Sequence, residues 1–301
     1  MATLAERVRR RCAEELYPQR RGMAGCRWLY DAFLATPREH FVPDRVWWPE
    51  RGKNGYRLYD RAMEPRAWLS AVYTPGYSLI TQIDDGAVAP TGPAEGRFTS
   101  SISASCTIVE LLRHLAPEPG ERVLEIGTGT GYTTALLTHR TGPGTVVSVE
   151  IDPRIAAHAS RRLGELGVDV RLVTGDGEHG HAGSAPYDRV VSTASVRRIP
   201  EAWVRQLRPG GVLLTPLDSP FGHDLLVLLV ADGRGNAVGR AVAEVEFMRV
   251  RGQRLPVPHR DLGWPEPVER GQWRELAFSA GRQGQHVDLG TTEGGRPRTR
   301  L

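Results

Sequence analysis

Three groups of residues have the types and spacing for joint chemistry. Glu125-Ile-Gly127-Thr-Gly129-Thr-Gly131 is a carboxylate followed by a G-x-G-x-G turn, where bare glycines let main-chain N–H groups approach a ligand closely. Glu150 ends the next apolar run, and a carboxylate there can accept both hydroxyls of a ribose. Asp176 stands between Gly175 and Gly177 and can accept an adenine amino proton. Each alone has a plainer reading: a tight turn, a strand-end carboxylate facing water, an Asp serving turn chemistry. At three successive strand ends they describe a nucleoside pocket instead. The spacing is neither the G-x-G-x-x-G of a dinucleotide pyrophosphate site nor a P-loop, so neither of those ligands is supported. A polar run precedes the pocket, Phe98-Thr99-Ser100-Ser101-Ile102-Ser103-Ala104-Ser105, with hydroxyls able to orient an acceptor.

The elements that must position these residues follow from periodicity. Ile108, Val109, Leu111, Leu112 and Leu115 share one face of a helix that Pro117 to Gly120 ends. Arg122 to Ile126, Thr145 to Val149, Val170 to Val173, Asp188 to Ser192 and Val212 to Thr215 read as strands. Tyr132 to Arg140, Pro153 to Leu166 and Pro200 to Leu207 read as helices between them, with Pro153 in a first turn. Strict alternation predicts an α/β fold, a doubly wound, mostly parallel sheet. Residues 1–95 form an aromatic-rich N-terminal segment. In it Trp28 to Phe33 is helical, and the later aromatics follow no clean period. Residues 96–217 form the core, and residues 218–301 an extension. That extension opens with a hairpin of Asp224 to Val230 and Ala241 to Phe247 around Gly233 to Asn236; beyond Gly281 it is rich in Gly, Arg and Thr, and its final residues are expected to fray.

Composition narrows the class. The chain has 301 residues, 40% of them hydrophobic and 25% charged, as in an ordinary globular protein. Its longest notable apolar run, Leu225 to Ala231, is far short of the roughly 20 residues of a bilayer span. Three dispersed cysteines, Cys12, Cys26 and Cys106, suit a reducing cytoplasm and give no zinc spacing. Cys106 is expected to pack. Glu178-His179-Gly-His181 is not completed into a metal site, so no metal is expected. Net charge is +4, carried almost wholly by arginine, without a basic run that would point to nucleic acid.

The series VLEIGTGTGY, VVSVEID, VTGDGEHG, APYDRVVSTAS and IPEAWVRQLRPGGVLLTPL resembles the class I S-adenosylmethionine-dependent methyltransferases. Within them it is most similar to the protein-L-isoaspartate O-methyltransferase family, from about Phe98 to Leu217 and more loosely through Pro37-Arg-Glu-His-Phe-Val-Pro43. The resemblance implies a Rossmann-like, seven-stranded fold. It implies S-adenosylmethionine held by Thr99, Ser105, Glu125, Gly127, Thr128, Gly129, Gly131, Tyr132, Glu150, Ile151, Asp176, Gly177 and Thr193. Ser192-Thr-Ala-Ser195 stands where a nucleic-acid amino-methyltransferase carries Asn/Asp-Pro-Pro-Tyr, so nucleic acid is not the expected acceptor.

The family's active-site serine falls on Ser103 by an ungapped count and on Ser100 if Glu110 is matched instead. Ser103 is preferred, with Ser101 and Ser100 beside it, and one serine of the run is expected to cap the following helix. Ala104-Ser105 replaces the family's Ala-Pro. That departure, the long N-terminal segment and Phe247-Met-Arg249…Arg251-Gly-Gln253 resemble the family's peptide natural-product branch, in graspetide or lanthipeptide pathways. The expected reaction is therefore esterification of an aspartate side chain in a macrocyclised precursor peptide with an acidic core, leading to aspartimide. Arg249, Arg251 and Gln253 are expected on the substrate. The alternative is repair of L-isoaspartyl residues, and a more distant one is a peptide-binding protein with a vestigial pocket.

Overall fold

A computed structural model describes residues 2–18, 22–52, 55–266 and 268–289. The chain folds as two compact units, one up to Asp176 and one from Gly177 on. The division falls inside the segment expected as the core.

The first unit opens with α1 (Leu4–Leu16), whose N-terminus is closed by a capping box: Thr3 Oγ1 accepts from the Glu6 N–H and Glu6 Oε2 accepts from the Thr3 N–H. Next come α2 (Arg27–Ala35) and the single-turn α3 (Arg38–Phe41). The aromatic segment then builds a sheet of its own from β1 (Arg45–Gly52), β2 (Gly55–Asp60), β3 (Leu79–Ile83) and β4 (Phe98–Ile102), in the order β2-β1-β3-β4 and antiparallel throughout, with α4 (Pro65–Val72) between β2 and β3. Trp47, Ile80 and Ile83 form its small core, and Trp47 Nε1 donates to the Gly92 carbonyl at 2.9 Å. The sequence reading found no period here for a local reason. Pro49 interrupts β1, and the β1–β2 register shifts between Trp47 and Arg51, so inward residues do not alternate cleanly.

After α5 (Ser105–Leu115), the unit finishes with β5 (Val123–Ile126), α6 (Tyr132–Thr141), β6 (Val146–Glu150), α7 (Pro153–Glu165) and β7 (Arg171–Thr174). The strands pair in parallel, β5 with β6 and β6 with β7, and β5 and β6 are buried at every position. Continuous burial explains why Val, Leu and Ile fill every position of the two except those of Glu125, Ser148 and Glu150. Asp152 caps α7, accepting from the N–H groups of Arg154 and Ile155, with Pro153 in the first turn. No serine caps α5: its N-cap is Ala104, which has no side-chain acceptor to offer.

In the second unit β8 (Tyr187–Ser192) runs parallel to β9 (Leu207–Leu217), with α8 (Glu201–Arg205) between them. From β9 onward pairing is antiparallel. The expected hairpin is present as β10 (Asp224–Ala231) and β11 (Asn236–Val245), and β12 (Leu276–Gly281) and β13 (Gly284–Leu289) extend it. The three parallel strands of the first unit and the six of the second exceed the seven expected. The surplus is β12 and β13, where Leu276, Phe278, Ala280, Gln285 and Val287 alternate inward. The chain just past Gly281 is therefore strand, and the final residues expected to fray fall beyond it. Residues 290–301 lie outside the described residues. No helix of the described residues is long and apolar enough to cross a membrane.

Candidate active site

The glycine turn joins β5 to α6. Gly127, Gly129 and Gly131 have φ of 90°, 55° and 89°, the left-handed region that L side chains avoid. At Gly131 an added Cβ would also press on Leu163 at 3.2 Å and Ala159 at 3.4 Å, so α6 can start this close to α7 only without a side chain there. The turn hangs on β6: the Gly127 and Thr128 N–H groups both donate to the Val149 carbonyl.

Behind the turn lies Glu125, fully buried. Its Oε2 accepts from Thr134 Oγ1 at 2.5 Å and Ser148 Oγ at 2.6 Å, and Ser148 also meets Thr128 Oγ1 at 2.6 Å. Its Oε1 has no hydrogen-bond partner among the described residues. Burial pushes the Glu125 carboxyl up to about 7, against the two hydroxyl donors, and nearby Glu150 adds to the rise. Glu150 lies at the end of β6 and is almost buried. Its Oε2 accepts from the Gly129 N–H at 2.9 Å and its Oε1 from the Asp152 N–H at 3.0 Å. Burial raises its pKa, opposed by those N–H groups.

A residue that sequence reasoning missed ties this centre to the serine run. Gln82 of β3 is buried, donates through Nε2 to Asp152 Oδ2 at 3.1 Å, and accepts from Thr99 Oγ1 at 2.9 Å. Thr99, Gln82, Asp152, Glu150 and Gly129 thus form one hydrogen-bonded path from β4 to the glycine turn. Ser148 was findable, since i, i+2 spacing puts it on the same strand face as Glu150. Gln82 gave no such signal.

The serines differ in what surrounds them. Ser100 is buried and its hydroxyl accepts from Thr81 Oγ1 at 2.9 Å. Ser101 pairs with Ile80 across the sheet and is half-buried, and its carbonyl is the nearest atom, at 3.8 Å, to a Cβ built on Gly129. Ser103 is half-buried on the link to α5, and its carbonyl accepts from Arg38 Nη2 at 2.7 Å. Ser105 is buried beside Cys12, and among the described residues the buried Tyr132 hydroxyl has no hydrogen-bond partner, while its ring packs on Phe33 and Phe41. Cys106 is half-buried. Ile151 is half-buried and Asp176 exposed beyond β7.

The remaining expected residues belong to the second unit. The Gly177 carbonyl accepts from Trp203 Nε1 at 2.8 Å, and Thr193 is half-buried just after β8. Arg249 reaches Asp218 at 2.7 Å, Asp224 at 3.2 Å and Ser195 Oγ at 2.5 Å. Gln253 Oε1 accepts from the N–H groups of Arg197 and Arg198, while its Nε2 donates to Glu178 at 2.7 Å. Arg251 is half-buried in a short 3₁₀ turn. Among the described residues, no group of three or more His, Cys, Asp or Glu could hold a metal ion.

A family model described as protein-L-isoaspartate(D-aspartate) O-methyltransferase matches residues 88–255. The chain belongs to the protein-L-isoaspartate O-methyltransferase family. A protein-L-isoaspartate O-methyltransferase of Staphylothermus marinus is 33% identical over 234 residues, 75% of this chain and 86% of that one. One of Ignicoccus hospitalis is 34% identical over 140 residues, 46% of this chain and 66% of that one. A solved protein-L-isoaspartate O-methyltransferase structure has a TM-score of 0.65 at 21% identity, covering 95% of this chain and 99% of that one, and shares the fold. Like its family, the chain is an S-adenosylmethionine-dependent protein carboxyl O-methyltransferase.

The residues present fit that cofactor. An ammonium needs a carboxylate oxygen not already taken, and Glu125 Oε1 is buried and unpartnered. A ribose needs a strand-end carboxylate beside the glycine turn, and Glu150 is already bonded to Gly129.

Proposed function

We propose that this protein methylates the free carboxylate of L-isoaspartyl residues in proteins or peptides. The observation that carries the reading is the close pass of β4 over the cofactor turn, with the Ser101 carbonyl 3.8 Å from a Cβ position on Gly129. An acceptor held by the Ser100–Ser103 stretch lies next to the backbone that would carry the cofactor. Glu125, Glu150 and the glycine turn hold S-adenosylmethionine in this reading, with Thr99 and Asp152 supporting them through Gln82. The bound cofactor supplies an electrophilic methyl on a sulfonium.

The protein's own task is modest. An isoaspartyl carboxylate is ionised at neutral pH and needs no general base. Ser103, Ser101 and main-chain N–H groups orient one of its oxygens toward the methyl and keep water out. An O–CH₃ bond forms as the S–CH₃ bond breaks, leaving a methyl ester and S-adenosylhomocysteine. The ester then loses methanol by closure to a succinimide. Ser103, half-buried, suits this role better than Ser100, which is buried.

A second reading keeps a crosslinked precursor peptide with an acidic core as the acceptor and an aspartate side chain as the methylated group. One observation favours it: Ser105, in place of the family's proline, puts a buried hydroxyl at the start of α5. In either reading Arg249 and Gln253 act indirectly, by fixing the extension that carries them, because internal partners engage their polar atoms.

The test is methyl transfer from labelled S-adenosylmethionine to three acceptors: an isoaspartyl peptide, its aspartyl counterpart and a crosslinked acidic precursor. The proposal expects the isoaspartyl peptide to be esterified at least ~100-fold faster than the aspartyl one, a ratio typical of a site built around one polar geometry. Label on the crosslinked precursor alone would establish the second reading, and label on none would sink both.

A further inference from the structure

The segment Pro37 to Pro43 has no part in the site so far. It nevertheless buries a cation completely: Arg38 is 0% exposed, and no carboxylate among the described residues pairs with it. The guanidinium is shared by three segments. Nε donates to the Val72 carbonyl at the end of α4 at 2.9 Å, and Nη2 donates to the Ser103 carbonyl at 2.7 Å. Its plane lies over the ring of Tyr132, the first residue of α6, with Cζ 5.2 Å from the centroid. Among the described residues Nη1 has no hydrogen-bond partner, nor does the buried hydroxyl of Tyr132.

Such a centre is costly to keep. A buried charge without a counter-ion destabilises a fold, and an apolar side chain of similar volume would fill the space without leaving Nη1 unpaired. Its value must lie in geometry. A planar fork can hold two carbonyls from separate segments while stacking on an aromatic face, which an ammonium cannot do. The backbone under Arg38 is itself pinned. Glu39 accepts from Arg9 at 3.1 Å and from the Tyr73 hydroxyl, and His40 Nε2 meets the Arg162 carbonyl of α7 at 2.8 Å.

We infer that Arg38 is a positioning residue for methyl transfer, a clamp that fixes the Ser103 main chain against the start of α6 and so sets the acceptor turn relative to the cofactor turn. The inference rests on Ser103 lying at the acceptor, as proposed above. Because Arg38 acts through other groups, its loss should reach kcat and leave ligand affinities nearly intact.

The experiment uses the full chain with Arg38→Lys, which keeps the charge, and Arg38→Met, which keeps the volume. Both should lower kcat on the isoaspartyl peptide by about 30- to 100-fold, the scale of an ångström-level misplacement. KM for the peptide and Kd for S-adenosylmethionine should stay within about threefold. Hydrogen exchange supplies a readout independent of activity: amides of residues 99–107 should exchange at least ~10-fold faster in both variants, with β5 to β7 unchanged. Wild-type kcat in Arg38→Lys, a loss confined to cofactor affinity, unchanged exchange at residues 99–107, or failure of both variants to fold would each overturn the clamp. If the wild-type protein methylates no isoaspartyl peptide, the proposed function fails while the exchange measurement still decides the clamp.

Discussion

Two buried acidic centres in this molecule invite comparison. In the first unit Glu125 is fully enclosed, yet only one of its oxygens is bonded, by two neutral hydroxyls. In the second, Asp224 is nearly as enclosed and Asp218 half-buried, and both are fully answered. Arg249 pairs with both, Arg197 reaches Asp218 at 2.8 Å, and the Phe247 N–H donates to Asp224 at 3.0 Å. Burial raises the pKa of Asp224 too, but Arg249 and hydrogen bonds oppose it, whereas Glu125 faces no cation. The contrast separates a site from a scaffold. A buried charge whose partners are all internal holds the fold together, and one left with an open valence is arranged for something that arrives.

The comparison can be broken in several ways. Removing the cation of the closed centre by Arg249→Met leaves the buried Asp224 carboxylate without its cation, Asp218 keeping Arg197, and should cost about 3–5 kcal/mol of stability by urea unfolding. A cost under ~1 kcal/mol would show that the network is not structural. At the open centre the largest effect should appear in binding. Glu125→Gln keeps volume and the hydroxyl contacts but loses the charge, so calorimetry should find S-adenosylmethionine bound about 10- to 100-fold more weakly, the scale of one charge-assisted hydrogen bond. Its thermal stability should hold or rise, because a buried ionisable group has gone.

The raised carboxyl of Glu125 adds a pH dependence with a definite sign. Its pKa in the folded chain, about 7, exceeds the ordinary 4.5. Its contribution to stability is therefore full below about pH 4.5 and lost as pH rises toward 7. Binding of a cationic cofactor to the ionised form runs the opposite way. Affinity should strengthen as pH rises through that window, by up to ~10-fold per pH unit, with proton release on binding seen by calorimetry in buffers of different ionisation heat. Glu125→Gln should flatten both trends; a wild-type slope in that variant would assign them elsewhere. The smallest effect is expected at Gly131→Ala. A left-handed alanine pressed against Leu163 should destabilise by about 1–2 kcal/mol in thermal melts, and cofactor affinity should fall with it.

Legibility in the sequence followed the range of the forces involved. The glycine turn, the Asp152-Pro153 helix start and the hairpin around Gly233 to Asn236 were all readable, because positive φ, capping and turn chemistry are decided within a few residues. The acceptor run was readable as polar, but not which serine is accessible: only the pairing of β3 with β4 shows Ser100 buried against Thr81. The cap of α5 was misread because Ser103 and Ser105 flank the true N-cap, Ala104. The four-stranded sheet of the aromatic segment escaped notice because its strands find their periodicity only against one another.

By itself the sequence determined the order of elements, the acids placed at three strand ends and the family to which the chain belongs. These are properties of local backbone preference and of spacing along the chain. Only the tertiary structure decided that Glu125 keeps one oxygen open while Asp224 does not. It also decided that Gln82 links Thr99 to Asp152, and that Arg38 is buried on Ser103 without a counter-ion. The reason is physical: whether a buried polar atom is satisfied depends on which distant residues pack around it, and no window of sequence contains them.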